Sequence, residues 1–230
     1  ASGFKATLFG GKHSFKNAKF AGANDPFNSG GYIMGLFGVL NNAKIYDINI
    51  DNSCKYSFSP SATVRIGGIA AHSINTYLVN CSSYANITMN NSALNTNAQN
   101  NVRYNIGGLI GEERGSSTRF YLCSYKGTIE ATAFGANVTE SGNDCHAAGG
   151  FIGLPIANVT ADGCFVDVKL LLHRGGINAC GIGGGWYASD AKDVITNTIV
   201  IMQIKEDGVI ASHDTSMLIN RPSTTAQPVA

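Results

Sequence analysis

A cluster of glycines around apolar residues returns five times along this chain, and that recurrence constrains the fold more than any other feature. Met34-Gly35-Leu36-Phe37-Gly38 comes first, followed by Gly67-Gly68-Ile69-Ala70-Ala71, Gly107-Gly108-Leu109-Ile110-Gly111 and Gly149-Gly150-Phe151-Ile152-Gly153. A degenerate Gly183-Gly184-Gly185-Trp186 closes the series. The matching glycines Gly35, Gly68, Gly108, Gly150 and Gly184 stand 33, 40, 42 and 34 residues apart. The unit is therefore roughly 35 to 40 residues with loop insertions, the signature of a repeat architecture.

Each cluster leads into a short alternating segment: Tyr46–Ile50, Asn86–Met89, Thr128–Ala131, Val166–Leu170 and Val200–Ile204. Period two marks strands with one buried face. Ile48, Ile50, Ile87, Met89, Ile129, Val166, Val168, Val200, Met202 and Ile204 are expected to point inward. Asp47, Asn49, Asn86, Thr88, Glu130, Asp167 and Lys169 are expected to point outward. No segment carries a capped helical pattern, so the fold class is all-β.

A unit of two or three short strands cannot bury its own apolar face, so neighbouring units must stack. The simplest arrangement is a right-handed parallel β-helix, or β-solenoid, of about five coils with non-repeat ends. Sandwiches and propellers also space strands regularly, but a propeller blade needs four strands per unit. Paired glycines suit corners where backbones approach closely or φ is positive. Residues 30–204 form the repeats. Residues 1–29, with Phe4, Phe9, Phe15, Phe20 and Phe27 among lysines, read as an N-terminal cap or arm, and residues 205–230 as a C-terminal cap or extended tail.

Composition narrows the function. Charged residues make up only 13% and the net charge is +1, so there is no electrostatic footprint for nucleic acid. No apolar run approaches the length of a membrane-spanning helix. A chain beginning at Ala1, six cysteines and Asn-x-Ser/Thr sequons at Asn80, Asn86, Asn90, Asn137 and Asn158 fit a secreted or cell-surface protein. Cys81, Cys123 and Cys164 follow their repeat glycines by 13, 15 and 14 residues, and Cys145 and Cys180 precede theirs by five and four. Stacked columns of this kind bring Cα atoms within disulfide range, which suggests Cys145–Cys180, Cys123–Cys164 and Cys54–Cys81. The rival reading is buried free thiols filling a column. No Cys-x-x-Cys or Cys/His spacing points to a metal.

The segment from Gly107 to Gly111, with Leu122-Cys123-Ser124-Tyr125-Lys126-Gly127-Thr128-Ile129 behind it, resembles the GLUG motif of bacterial and protist surface proteins. Val79-Asn80-Cys81-Ser82-Ser83-Tyr84-Ala85-Asn86-Ile87 is similar to the tail of that motif, and Gly35 through Ile48 to the unit that opens such arrays. The resemblance spans roughly residues 30–204 and is eroded in the last two units. It implies β-solenoid segments of secreted adhesins and large surface proteins, and it implies no catalytic residues.

Candidate chemistry is sparse. Asp47, Glu130 and Asp167 could line up as acids of a polysaccharide-active β-helix enzyme, but Asn86 and Ile201 break the row. Glu112-Glu113-Arg114 reads as a charged loop and His146 as a turn residue. No Gly-x-Ser-x-Gly elbow or Gly-Lys-Ser/Thr loop occurs. Trp186 and Tyr187 are candidates for stacking on glycan rings or for plugging the last coil. The sequence thus favours a non-catalytic, cofactor-free extracellular structural protein that self-assembles into an oligomer or filament. An adhesin module binding glycan or a cell-surface protein is the alternative, and a polysaccharide-active enzyme the second.

Overall fold

The computed structural model describes residues 3–58, 63–90, 104–132, 146–173, 177–184 and 192–207. Every regular element among them is a strand, and all pairings between strands are parallel except one. The strands form four ladders, each drawing on successive repeats. The first runs through Tyr32–Met34, Val64–Gly67, Tyr104–Gly107, His146–Gly149 and Ile177–Cys180, with Ala23–Asn24 antiparallel at its foot. The second holds Phe37–Asn41, Ala70–Ile74, Ile110–Glu113 and Ile152–Pro155. The third stacks Thr7–Phe9, Lys44–Tyr46, Thr76–Val79, Ser117–Tyr121, Asn158–Asp162 and Val194–Thr196. The fourth carries the long alternating strands Asn86–Asn90, Ser124–Thr132, Phe165–His173 and Ile199–Asp207 over shorter ones.

Register follows the glycine spacing: Ile66 pairs with Ile106, and Gly67 with Gly107, which pairs in turn with Gly149. Equivalent residues of successive units therefore stack about 4.8 Å apart in columns. Each of the first four units contributes to all four ladders, more than the two or three strands expected, and the fifth adds strands to the first, third and fourth. What separates the fold from a propeller is pairing between units, in parallel, rather than within a unit. The glycine pairs serve close approach: a Cβ on Gly107 would overlap Ile110 O and lie 2.7 Å from Gly153 N. Positive φ among the described glycines occurs elsewhere, at Gly11, Gly30 and Gly163.

Asparagine makes the other corners. Asn42 and Asn75, at φ 52° and 50°, turn the chain from the second ladder to the third. Asp47, Asn80, Leu122, Gly163 and Asn197 turn it from the third to the fourth, with φ between 49° and 63°. Short amide and carboxylate side chains tolerate this left-handed conformation by bonding locally. Asn80 Nδ2 donates to Asp47 Oδ1 at 2.5 Å, tying one corner to the corner below. The expected strand Tyr46–Ile50 is accordingly split at Asp47 into Lys44–Tyr46 and Asn49–Ile50.

Inside the ladders lies one main core, with a small separate apolar cluster at Ala147 and Leu154. Ile45, Leu78, Phe120 and Ala161 form a fully buried column in the third ladder. Ile48, Ile50, Ile87, Met89, Ile129, Val166 and Val168 are buried as the alternation predicts, and Val200, Met202 and Ile204 pack partly buried against the same core. Each fully buried aliphatic or aromatic side chain contributes about 1.5–3 kcal/mol.

Residues 3–20 lack the Gly-apolar-apolar-Gly cluster of the repeats, yet they add a row in parallel register. Leu8 pairs with Ile45, Phe15 with Ile50 and Phe20 with Tyr56. At the other end the last strand continues to Asp207, beyond the expected boundary at 204.

Candidate functional site

The most polar place in the interior lies between the first and second ladders. Arg65, in Val64–Gly67, sends Nε to Glu112 Oε2 at 2.5 Å and Nη1 to Asp25 Oδ2 at 2.6 Å. His72 Nε2 lies 3.1 Å from Asp25 Oδ1, and Asn105 Nδ2 donates to Glu112 Oε2 at 2.8 Å. Arg114 Nε stands 2.5 Å from Glu112 Oε1, and its guanidinium covers the Phe27 ring at 5.0 Å. Phe27 in turn meets the His72 ring edge-on and donates its N–H to Asp25 Oδ1.

Burial raises the Asp25 pKa, but the hydrogen bond and charge of His72, the Phe27 N–H and Arg65 outweigh it and hold it below the ordinary carboxylate value. Glu112 behaves alike: burial pushes up, and Arg65, His72 and Arg114 together pull its pKa below the usual range. Both carboxylates are therefore charged and paired in the interior, so the cluster clamps the loop at 25–31 to the second and third repeats. Glu112 and Glu113 thus belong to a buried strand, not to the expected charged loop. His146 likewise sits buried in a strand, stacked on Tyr104 at 4.5 Å, rather than in a turn. The signal for the clamp was Arg65 itself, a charge between two β-branched residues. It points away from the main core, and the second ladder covers that side.

The cysteines also differ from expectation. Cys54, Cys81, Cys123 and Cys164 are buried free thiols, and no disulfide joins them. Register sets Cys81, Cys123 and Cys164 in one column, because Ser82 pairs with Ser124 and Ser124 with Phe165. Each donates to the carbonyl two residues before it, at Val79, Tyr121 and Asp162, at 3.4 Å. Burial pushes the Cys123 and Cys164 thiols up. The expected Cys54–Cys81 bridge has no stacking partner geometry: Lys55 after Cys54 pairs with Asn86, whereas Ser82 after Cys81 pairs with Asn49. The partner expected for Cys180, Cys145, lies outside the described residues, as do Asn137, Trp186 and Tyr187.

Of the sequon asparagines, Asn80, Asn86, Asn90 and Asn158 are exposed. The oxygen of Asn86 accepts the Thr128 N–H and that of Asn158 the Lys192 N–H. The candidate acids do not converge: Asp167 pairs with Lys126 at 3.0 Å, Glu130 meets His173 at 3.2 Å, and Asp47 sits at its corner. Among the described residues no group of three or more His, Cys, Asp or Glu could hold a metal ion.

The solvent side of the third ladder was not singled out by sequence reasoning. One column there reads Thr7, Lys44, Tyr77, Arg119, Thr160 and Val194, and the next Phe9, Tyr46, Val79, Tyr121, Asp162 and Thr196. Phe9 and Tyr46 stack at 4.8 Å, while Lys44 and Arg119 stand 5.8 Å and 4.7 Å from the Tyr77 ring.

No protein-family model matches this chain, and no curated protein matches it either.

Proposed function

We propose that the chain is a right-handed parallel β-helix of about five coils, akin to the GLUG repeats it resembles, with residues 1–29 as a cap. In this reading it is a non-catalytic structural subunit, secreted or at a cell surface, that assembles end to end into an oligomer or filament. One observation carries it: among the described residues, both terminal rows keep an unpaired parallel strand edge. Thr7–Phe9 pairs only upward with Lys44–Tyr46, and Ile199–Asp207 only downward with Phe165–His173.

Parallel edges facing opposite ways along one axis complement each other by translation, so a second copy would continue the third and fourth ladders without turning over. The core is open at the same two places, where Phe4, Leu8 and Phe20 at one end and Ile195, Val200, Met202 and Ile204 at the other are only partly buried. Ile199 and Ile201 are 61% and 46% exposed in the upper row, and Phe9 is 70% exposed in the lower. The extracellular part of the reading rests on the sequons and their exposure.

Negative-stain imaging of the purified chain tests it. Rods lengthening with concentration are expected, and single particles at every concentration would overturn it.

A further inference from the structure

The solvent side of the third ladder carries a second inference, independent of self-assembly. Lys44, Tyr77 and Arg119 occupy one column in three consecutive rows. Tyr77 is held between the two cations, and Arg119 also hydrogen-bonds its hydroxyl. Neither cation has a carboxylate within ion-pair distance among the described residues. Beside them Phe9, Tyr46, Val79 and Tyr121 form a second column, with Phe9 and Tyr46 stacked face to face.

The acids on this side are held at the corners by neutral donors. Asp47 accepts from Asn80, and Asp162 accepts from Thr196 and Asn197. Lys5 and Lys12 flank the lowest strand and are exposed. With Lys5, Lys12, Lys44 and Arg119 against Asp47, the lower rows of the face are cationic as well as aromatic, although the whole chain is nearly neutral.

We propose that this face binds an acidic polysaccharide rich in uronic acid. The exposed Phe9 ring presents flat apolar surface to a sugar ring, Tyr77 orients Lys44 and Arg119, and these guanidinium and ammonium groups pair with carboxylates. Rows repeating about every 4.8 Å suit a linear polymer whose own units repeat. Protein interfaces also enrich Tyr and Arg but deplete Lys, and here the lysines Lys5, Lys12 and Lys44 accompany the rings.

The test is affinity electrophoresis of the intact chain in gels containing polygalacturonate. Methyl-esterified polygalacturonate supplies the rings without charge, and poly-L-glutamate supplies the charge without rings. Retardation by polygalacturonate alone is expected, weakened about tenfold or more in Lys44→Gln/Arg119→Gln and in Tyr77→Ala. Phe9→Ser, at an exposed position, gives the aromatic test again should Tyr77→Ala misfold, with circular dichroism as the check. Absence of retardation, equal retardation by poly-L-glutamate, or retardation unchanged in the variants would overturn the proposal.

Discussion

Arg65 and Glu112 lie in strands of neighbouring repeats and meet with Nε 2.5 Å from Oε2, their side chains 5% and 1% exposed. Such a pair, bounded by Asp25, Asn105 and Arg114, fixes the register between the first two ladders more sharply than apolar packing would. Removing one partner leaves the other charged and buried. Glu112→Ala is expected to cost about 3–5 kcal/mol in urea unfolding. A loss below about 1 kcal/mol would mean the pair is solvated.

The same carboxylates set an acid limit. Their folded pKa values lie below the ordinary 3.8 of Asp25 and 4.5 of Glu112. The stability they contribute is complete above those ordinary values and is lost as pH falls through the folded ones. Urea midpoints should therefore fall steeply once pH drops below about 4.5, and less steeply in Glu112→Gln. An identical slope in that variant would contradict the assignment.

Leu122 offers a gain. It holds φ at 53° and is 64% exposed, in the corner column where Asn80 and Asn197 serve the same turn. Leu122→Asn should raise stability by about 1 kcal/mol, because asparagine adopts the left-handed region at lower cost. Thermal unfolding measures it, and a lowered midpoint would show that Leu122 contributes packing instead.

The glycine corners should be intolerant. In Gly107→Ala the new methyl meets backbone on both sides, at Ile110 O and Gly153 N. A loss of about 1–3 kcal/mol or more is expected, since backbone cannot yield as a side chain can. A neutral outcome by chemical denaturation would show that the corner is loose.

Alkylation followed by mass spectrometry reads the thiols directly. Cys54, Cys81, Cys123 and Cys164 should resist iodoacetamide in the folded protein and react fully after guanidinium without reductant. Disulfide-linked peptides among these four would refute the thiol column.

The sequence showed the all-β class and the inward faces of the long strands because alternation is local: Ile87, Ile129 and Leu170 each sit two residues from another inward side chain. The glycine spacing likewise carried the register, since Gly67, Gly107 and Gly149 stack on one another. The first three ladders were harder to read. Their strands are three to five residues long in the repeats, and left-handed asparagines interrupt them, which shortens any alternating run below recognition. The clamp was hidden for a different reason. Alternation separates one face of a strand from the other without revealing that a second sheet covers the far side of Arg65, and the run Glu112-Glu113-Arg114 reads as a loop. Cysteine spacing placed three thiols in one column, but spacing alone does not distinguish a stacked thiol from a disulfide.

Assembly through the terminal rows is most directly tested by multi-angle light scattering of the native chain beside Ile199→Lys/Ile201→Lys. Both isoleucines are exposed in the upper row, and the new lysines would meet Lys12, Lys16 and Lys19 in the lower row of the next copy. The account predicts masses rising above 24.1 kDa with concentration for the native chain, and a folded 24.1 kDa monomer for the variant. A native chain that stays at 24.1 kDa throughout, or a variant that assembles equally well, would contradict it.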